Sequence, residues 1–101
     1  MKNKKHLAYI HEQDCCLEHS GGCNGPLHAH HLLKPWNGPR GMGLKAGDEN
    51  CVPLCMGHHT ELHMRGNEGQ FFSDITGDPE FGKRLAEKLF KDGPASSLIE
   101  V

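Results

Sequence analysis

No stretch of this sequence approaches the roughly 20 consecutive apolar residues that a membrane-spanning helix requires. The charged start, Met1-Lys2-Asn3-Lys4-Lys5-His6, leads into no apolar segment of the kind that marks a secretory signal. Large apolar side chains are scarce as well: of 101 residues, 36% are apolar and 6% aromatic. A domain of that size builds a small core and commonly needs a staple, whether disulfides, a metal or a partner chain. Disulfides fit poorly, because the five cysteines are odd in number and nothing points to export. Internal repeats, low-complexity tracts and an interdomain linker are all missing. The expectation is a single domain over residues 1–101, in a reduced cytoplasmic compartment, with no membrane segment. The sequence leaves the oligomeric state open.

Acidic side chains are absent from residues 19–47, where Lys34, Arg40 and Lys45 fall. The net charge of −2 counts against a nucleic-acid binder. A locally basic strip can nonetheless steer a phosphate backbone on a weakly acidic protein. Three solvated loop cations explain the same strip equally well on charge alone.

Histidine is what the sequence has in abundance, nine residues beside the five cysteines. Helix-like spacing of Leu7, Ala8, Ile10 and His11 predicts a short helix over about 4–13. Residues 14–25, rich in Gly and Cys, read as a metal-knuckle loop, and 26–33 as a strand. Residues 35–47 are Gly-rich and predict a loop, followed by a strand over 50–54 in which Pro53 suggests an edge or an end. A helix over about 55–65 stops at Gly66, and 66–77 reads as turn-rich with Phe71 and Phe72 as an apolar anchor. Asp78 as N-cap and Pro79 as first helical residue predict a last helix over about 79–91. Its expected buried stripe is Phe81, Leu85 and Leu89, and the tail from Ala95 is expected to be loose.

The segment N-C-V-P-L-C-M-G-H-H-T-E-L-H, residues 50–63, carries the chemistry. On a helix, His59 and His63 lie one turn apart on one face, so both imidazoles can reach one ion. Cys55 and His58 form a knuckle-like pair at the helix start. Neighbouring helical residues point about 100° apart, so His58 and His59 cannot comfortably serve the same ion. Two metal sites are the simplest solution. For the first, Cys16 and Cys23 bracket L-E-H-S-G-G upstream and complete a closed Cys3His set, the arrangement typical of structural Zn²⁺. Cys15, Cys51 and His19 remain as spare ligands, His19 because it forms a second C-x-x-H knuckle with Cys16. For the second, His30 and His31 in the string H-A-H-H are the upstream candidates. Three histidines would bind a cation with open positions, and the fourth, with an unperturbed pKa near 6.5, suits proton abstraction. His28, two positions before His30, could face the same side of the strand. His6, His11 and His19 read as surface or packing residues.

His30-His31, Asn50, His59 and His63 resemble the motif of the HNH (ββα-metal) endonucleases, and Cys16, Cys23, Cys55 and His58 resemble that family's zinc-knuckle subclass. The stretch G-M-G-L-K-A-G-D, residues 41–48, followed by P-L-C and H-H-x-x-x-H, is similar to a set of small phage and prophage members. The likeness covers roughly residues 16–72. It implies an α+β fold: a ββα-metal core over about 14–72, flanked by N- and C-terminal helices and held by a structural zinc. It further implies that His30, His59 and His63 hold a catalytic Mg²⁺, Mn²⁺, Ni²⁺ or Zn²⁺. In that pattern His31 is the general base and Asn50 pins the loop that orients it. The substrate implied is DNA, with Lys34, Arg40, Lys45 and Arg65 as candidate phosphate contacts. Two departures stand out: His58 occupies a position usually held by Cys, and Pro35 sits one residue later than in the common H-H-x-x-P form. The alternative function is a non-catalytic zinc-stabilised module that binds nucleic acid or protein. It leaves His31, Asn50 and His63 without a task. A metal-storage role accounts still less for Asn50 and the basic strip.

Overall fold

The computed structural model describes residues 3–36 and 47–94. Four α-helices and a two-stranded antiparallel sheet make up its regular structure, an α+β arrangement consistent with a small ββα-type domain. The helices are α1 (Lys4–His11), α2 (Met56–Arg65), α3 (Glu68–Thr76) and α4 (Phe81–Asp92); the strands are β1 (Leu27–His31) and β2 (Cys51–Cys55). A 3-10 turn spans Glu18–Ser20 and another Asp48–Asn50. No helix among the described residues is long and apolar enough to cross a membrane. The loose tail expected from Ala95 lies outside the described residues.

β1 and β2 pair so that Leu27 faces Cys55, Ala29 faces Pro53 and His31 faces Cys51. In a two-stranded sheet each strand is an edge, so the missing donor of Pro53 costs no interior ladder bond. The Pro53 carbonyl instead accepts the amide N–H of Cys16 at 2.9 Å. Successive strand residues project to opposite sides. His28 and His30 therefore share the side that meets α2, and His31 projects away from them.

α2 follows β2 without a linker because Cys55 ends the strand and caps the helix: its extended backbone lets Sγ accept the N–H of His58 at 3.4 Å. Gly66 closes α2 in the left-handed conformation, φ 73°, which only glycine adopts freely. The core beneath gathers Leu17, Leu32, Val52, Leu54, Leu62, Phe71, Phe72 and Ala86.

Two expectations for the C-terminal half are corrected. Residues 66–77 are not a turn-rich connection but carry α3, whose N-cap Asn67 accepts the N–H of Gln70 at 2.9 Å and whose C-cap is the left-handed Gly77. The last helix begins at Phe81 rather than Pro79, because Asp78 uses its carboxylate on the amide of Glu80, 2.9 Å away, in a turn. Its most deeply buried residues are Gly82, Ala86 and Phe90, with Phe81 and Leu85 flanking them against the core. The stripe turns by one residue because the helix approaches closely at Gly82, where a Cβ would lie 2.8 Å from the Phe72 ring.

Candidate metal centres

Two clusters of ligand-bearing side chains flank α2. In the first, the Sγ atoms of Cys15, Cys23 and Cys55 lie 3.6, 3.7 and 3.2 Å from Nδ1 of His58. The four donor atoms fall within 4.8 Å of one another, close enough to hold one metal ion. Three sulfurs and one imidazole match the closed tetrahedral complement of structural zinc sites. The loop that carries Cys23 is tied to the first turn of α2, whose amides would otherwise be orphaned: Met56 N–H donates to Pro26 at 2.8 Å and Gly57 N–H to Asn24 at 3.1 Å. Gly25 permits that approach, because its φ is 77° and a Cβ there would lie 2.7 Å from Met56. Burial opposes ionisation of Cys55, but the amides of His58 and Asn24 and the side chains of Cys23 and His58 outweigh it, bringing the thiol down to about 6. A thiol so disposed is ready to ligate as thiolate.

The structure brings Cys15, not Cys16, to this cluster. Cys16 instead packs its side chain against the hydrophobic core, while its backbone N–H donates to the Pro53 carbonyl at 2.9 Å. Burial, then the neighbouring Cys15, pushes the Cys16 thiol far above its ordinary range, as befits a packing residue. The other three expected ligands, Cys23, Cys55 and His58, are all present. His19, on the Glu18–Ser20 turn, and Cys51, on β2, lie outside the cluster.

The second cluster joins β1 to the outer face of α2. His59 Nε2 lies 3.1 Å from His30 Nδ1 and 3.0 Å from His63 Nε2, and the three donors fall within 4.8 Å of one another. His30 is buried, His59 half-buried and His63 exposed, so the cluster opens to solvent on one side. Burial, followed by repulsion from His30, His63 and His28, lowers His59 to about 4. The ring thus stays neutral near pH 7, the form that binds metals. Two further residues touch the cluster. His28 Nδ1 meets His59 Nδ1 at 2.9 Å, and Glu68 Oε1 meets His30 Nε2 at 2.7 Å.

His31 lies apart from those three imidazoles. Its Nε2 is 2.8 Å from Oδ1 of Asp48, whose Oδ2 accepts the amide of Asn3 at 2.7 Å. Cys51 lies beside this pair, its thiol pushed up to about 12 by burial and then by Asp48 and Glu49. Asn50 is wholly buried; its Oδ1 accepts the amide of Trp36 at 2.8 Å, and its Nδ2 reaches the Gly47 carbonyl at 3.4 Å. It thereby clamps together the two residues that flank segment 37–46. Of the candidate phosphate contacts, Lys34 is exposed beside Glu68 and Lys83, lining a cavity of about 150 Å³. Arg65 is engaged by Asp74 and by Glu61, and stacks 5.7 Å from the Phe71 ring centre. Arg40 and Lys45 lie outside the described residues.

Sequence reasoning missed Glu68 and Asp48. Asn67 followed three residues later by Gln70, then Gly77, was a helix signature that would have placed Glu68 at a helix start. No pattern in the chain linked either carboxylate to a particular histidine.

Fold and side chains together define a small α+β protein with a two-stranded sheet and, among the described residues, three groups able to hold a metal ion: the two that flank α2, and His31 with Asp48 and Cys51. The chain belongs to the family described as "Protein of unknown function (DUF968)", whose model matches residues 1–78. No curated protein and no solved structure matches it.

Proposed function

We propose that this chain is a metal-dependent endonuclease of the HNH type, hydrolysing phosphodiester bonds of DNA. The observation that carries this reading is the convergence of His30, His59 and His63 at a strand–helix junction with one side open. Three neutral nitrogen donors leave coordination positions for water or substrate, the hallmark of a catalytic rather than a structural centre. The donor set fits a divalent transition ion better than Mg²⁺, which prefers oxygen ligands. When bound, such an ion supplies positive charge to the scissile phosphate and the departing 3′ oxygen.

The protein's own part falls to His31, Asp48 and Asn50. Asp48 holds Nε2 of His31, so Nδ1 is the atom that takes the proton from the attacking water. Asn50 fixes the backbone on both sides of the intervening segment and with it the approach to β1. Cys15, Cys23, Cys55 and His58 hold a structural zinc that keeps α2 against the sheet. Lys34 offers a charge for the substrate backbone.

A non-catalytic nucleic-acid- or protein-binding module is the second reading, favoured by the projection of His31 away from His30 on alternate sides of β1. Plasmid nicking with added Mn²⁺, Ni²⁺ or Mg²⁺ separates the two. Wild type should nick, and His31→Ala should lose about 10²–10⁴-fold in rate with fold and zinc content intact. A wild type that cuts nothing with any of these ions, while both proteins bind DNA equally, leaves the module.

A further inference from the structure

We propose that Glu68 is a positioning residue that fixes the tautomer of His30, so that His30 binds its cation through Nδ1. The inference rests on reading His30, His59 and His63 as a cation centre, but not on nuclease activity.

His30 is only 2% exposed, and both of its ring nitrogens are engaged. Nε2 lies 2.7 Å from Glu68 Oε1, and Nδ1 lies 3.1 Å from His59 Nε2. An ionised carboxylate can only accept, so Nε2 carries the hydrogen. In the neutral form that binds a metal, an imidazole has one such hydrogen. Nδ1 therefore presents a lone pair to the space it shares with His59 and His63. The opposite tautomer would aim an N–H into the centre and a lone pair at a carboxylate, repelling ion and Glu68 alike.

Glu68 is itself held in place. Its carboxylate accepts the Leu33 amide with both oxygens, each at 3.1 Å, and its side chain is 10% exposed. It is the first residue of α3, where the helix N-terminus favours a negative charge. The same carboxylate thus anchors the chain just beyond β1 and orients the ring on β1. Its charge also makes His30 a stronger donor, the usual effect of a carboxylate behind a metal-bound imidazole. His28 Nδ1 meets Nδ1 of His59, and it is Nε2 of that ring that faces His30 and His63. The cation would then see His30 through Nδ1 and His59 and His63 through Nε2.

The test uses the full chain with its zinc retained and histidines labelled with nitrogen-15. Long-range proton–nitrogen correlation spectra should show His30 protonated at Nε2 in wild type and in Glu68→Gln, whose amide oxygen still accepts. In Glu68→Ala that single tautomer should be lost. Calorimetric titration with Ni²⁺ should find binding weakened about 10–100-fold in Glu68→Ala, the range typical for such supporting residues, and less in Glu68→Gln. Should the alanine variant fail to fold, the wild-type spectrum and the glutamine variant still decide. His30 protonated at Nδ1 in wild type overturns the proposal. So does unchanged Ni²⁺ affinity in a folded Glu68→Ala, or a wild type that binds no Ni²⁺ at these histidines. A protein that binds Ni²⁺ in this Glu68-dependent way but nicks no DNA upholds it and removes only the nuclease reading.

Discussion

The two clusters on α2 differ in the number and the chemistry of their donors, although each has one exposed member, Cys23 in the first and His63 in the second. One has four donors, three of them sulfur, gathered from the 15–23 loop and the β2–α2 junction. The other has three nitrogens, with His63 exposed at its edge. A full, sulfur-rich complement leaves no coordination position for solvent and locks chain segments together. An incomplete set of nitrogens stays open to exchange. Yet His58 and His59, one in each cluster, are neighbours on the same helix and point about 100° apart. The helix start that the first cluster organises is therefore the platform on which the second is built. An ion at the first centre would stabilise the fold, and an ion at the second would exploit it.

Removing the closed centre is the most severe way to break that comparison. Structural zinc in finger-like peptides contributes about 10–16 kcal/mol at neutral pH, whereas an ordinary domain is stable by about 5–15 kcal/mol in total. Cys15→Ser and Cys23→Ser should each lose bound zinc and cooperative thermal unfolding, read by metal analysis and circular dichroism. Cys16→Ala should keep its zinc and lose only packing, on the order of 1 kcal/mol for a small buried side chain. Zinc lost from Cys16→Ala but retained by Cys15→Ser would falsify the ligand assignment.

Damage to the open centre should be selective. His63→Ala deletes an exposed donor outside the hydrophobic core cluster, so zinc content and the unfolding transition should match wild type. Its affinity for Mn²⁺ or Ni²⁺ should fall at least about tenfold, since even residues behind a ligand have effects of that size. Nicking should fall with it. If His63→Ala unfolds like Cys23→Ser, the two clusters form one structural unit and the contrast between them fails.

Much of this contrast was legible in the sequence because helical geometry alone separates His58 from His59 and joins His59 to His63. The knuckle was harder. Cys15 and Cys16 are adjacent and chemically equal, and what separates them is tertiary: Cys16 packs against the core and its N–H donates to Pro53, a contact across 37 residues. The positions of Asp48 and Glu68 have the same character: both are distant in sequence from the imidazole they hold. Helix α3 is different. Its caps, Asn67 and Gly77, were visible, but Gly66, Asn67, Gly69 and Gly77 together resembled a turn-rich stretch, and the burial of Phe71 and Phe72 overrode that composition. The offset stripe of α4 follows from Gly82, whose missing side chain draws the helix toward Phe72 in a way that apolar periodicity does not register.

A histidine outside both centres supplies the smallest effect and the control for the others. His6 is fully buried against Phe90, with ring centres 5.2 Å apart, and neither ring nitrogen has a hydrogen-bond partner among the described residues. Burial lowers its pKa below the ordinary 6.5, with attraction to Asp48 and Glu49 pulling weakly the other way. A histidine kept neutral in the folded state favours folding fully only above its unfolded pKa. As pH falls through about 6.5, the unfolded chain takes up a proton that the folded chain resists, and stability declines. His6→Leu removes both the unpaired nitrogens and this titration. It should raise stability by about 1 kcal/mol near neutral pH, or about 4–8 °C in Tm for a domain of this size. Its advantage over wild type should widen on acidification, whether or not His63 is also replaced. Acid also competes with metal for the ligands of both centres, so the two proteins must be compared with ions in excess. Parallel stability curves for the two would mean that their common acid sensitivity comes from the centres and not from His6.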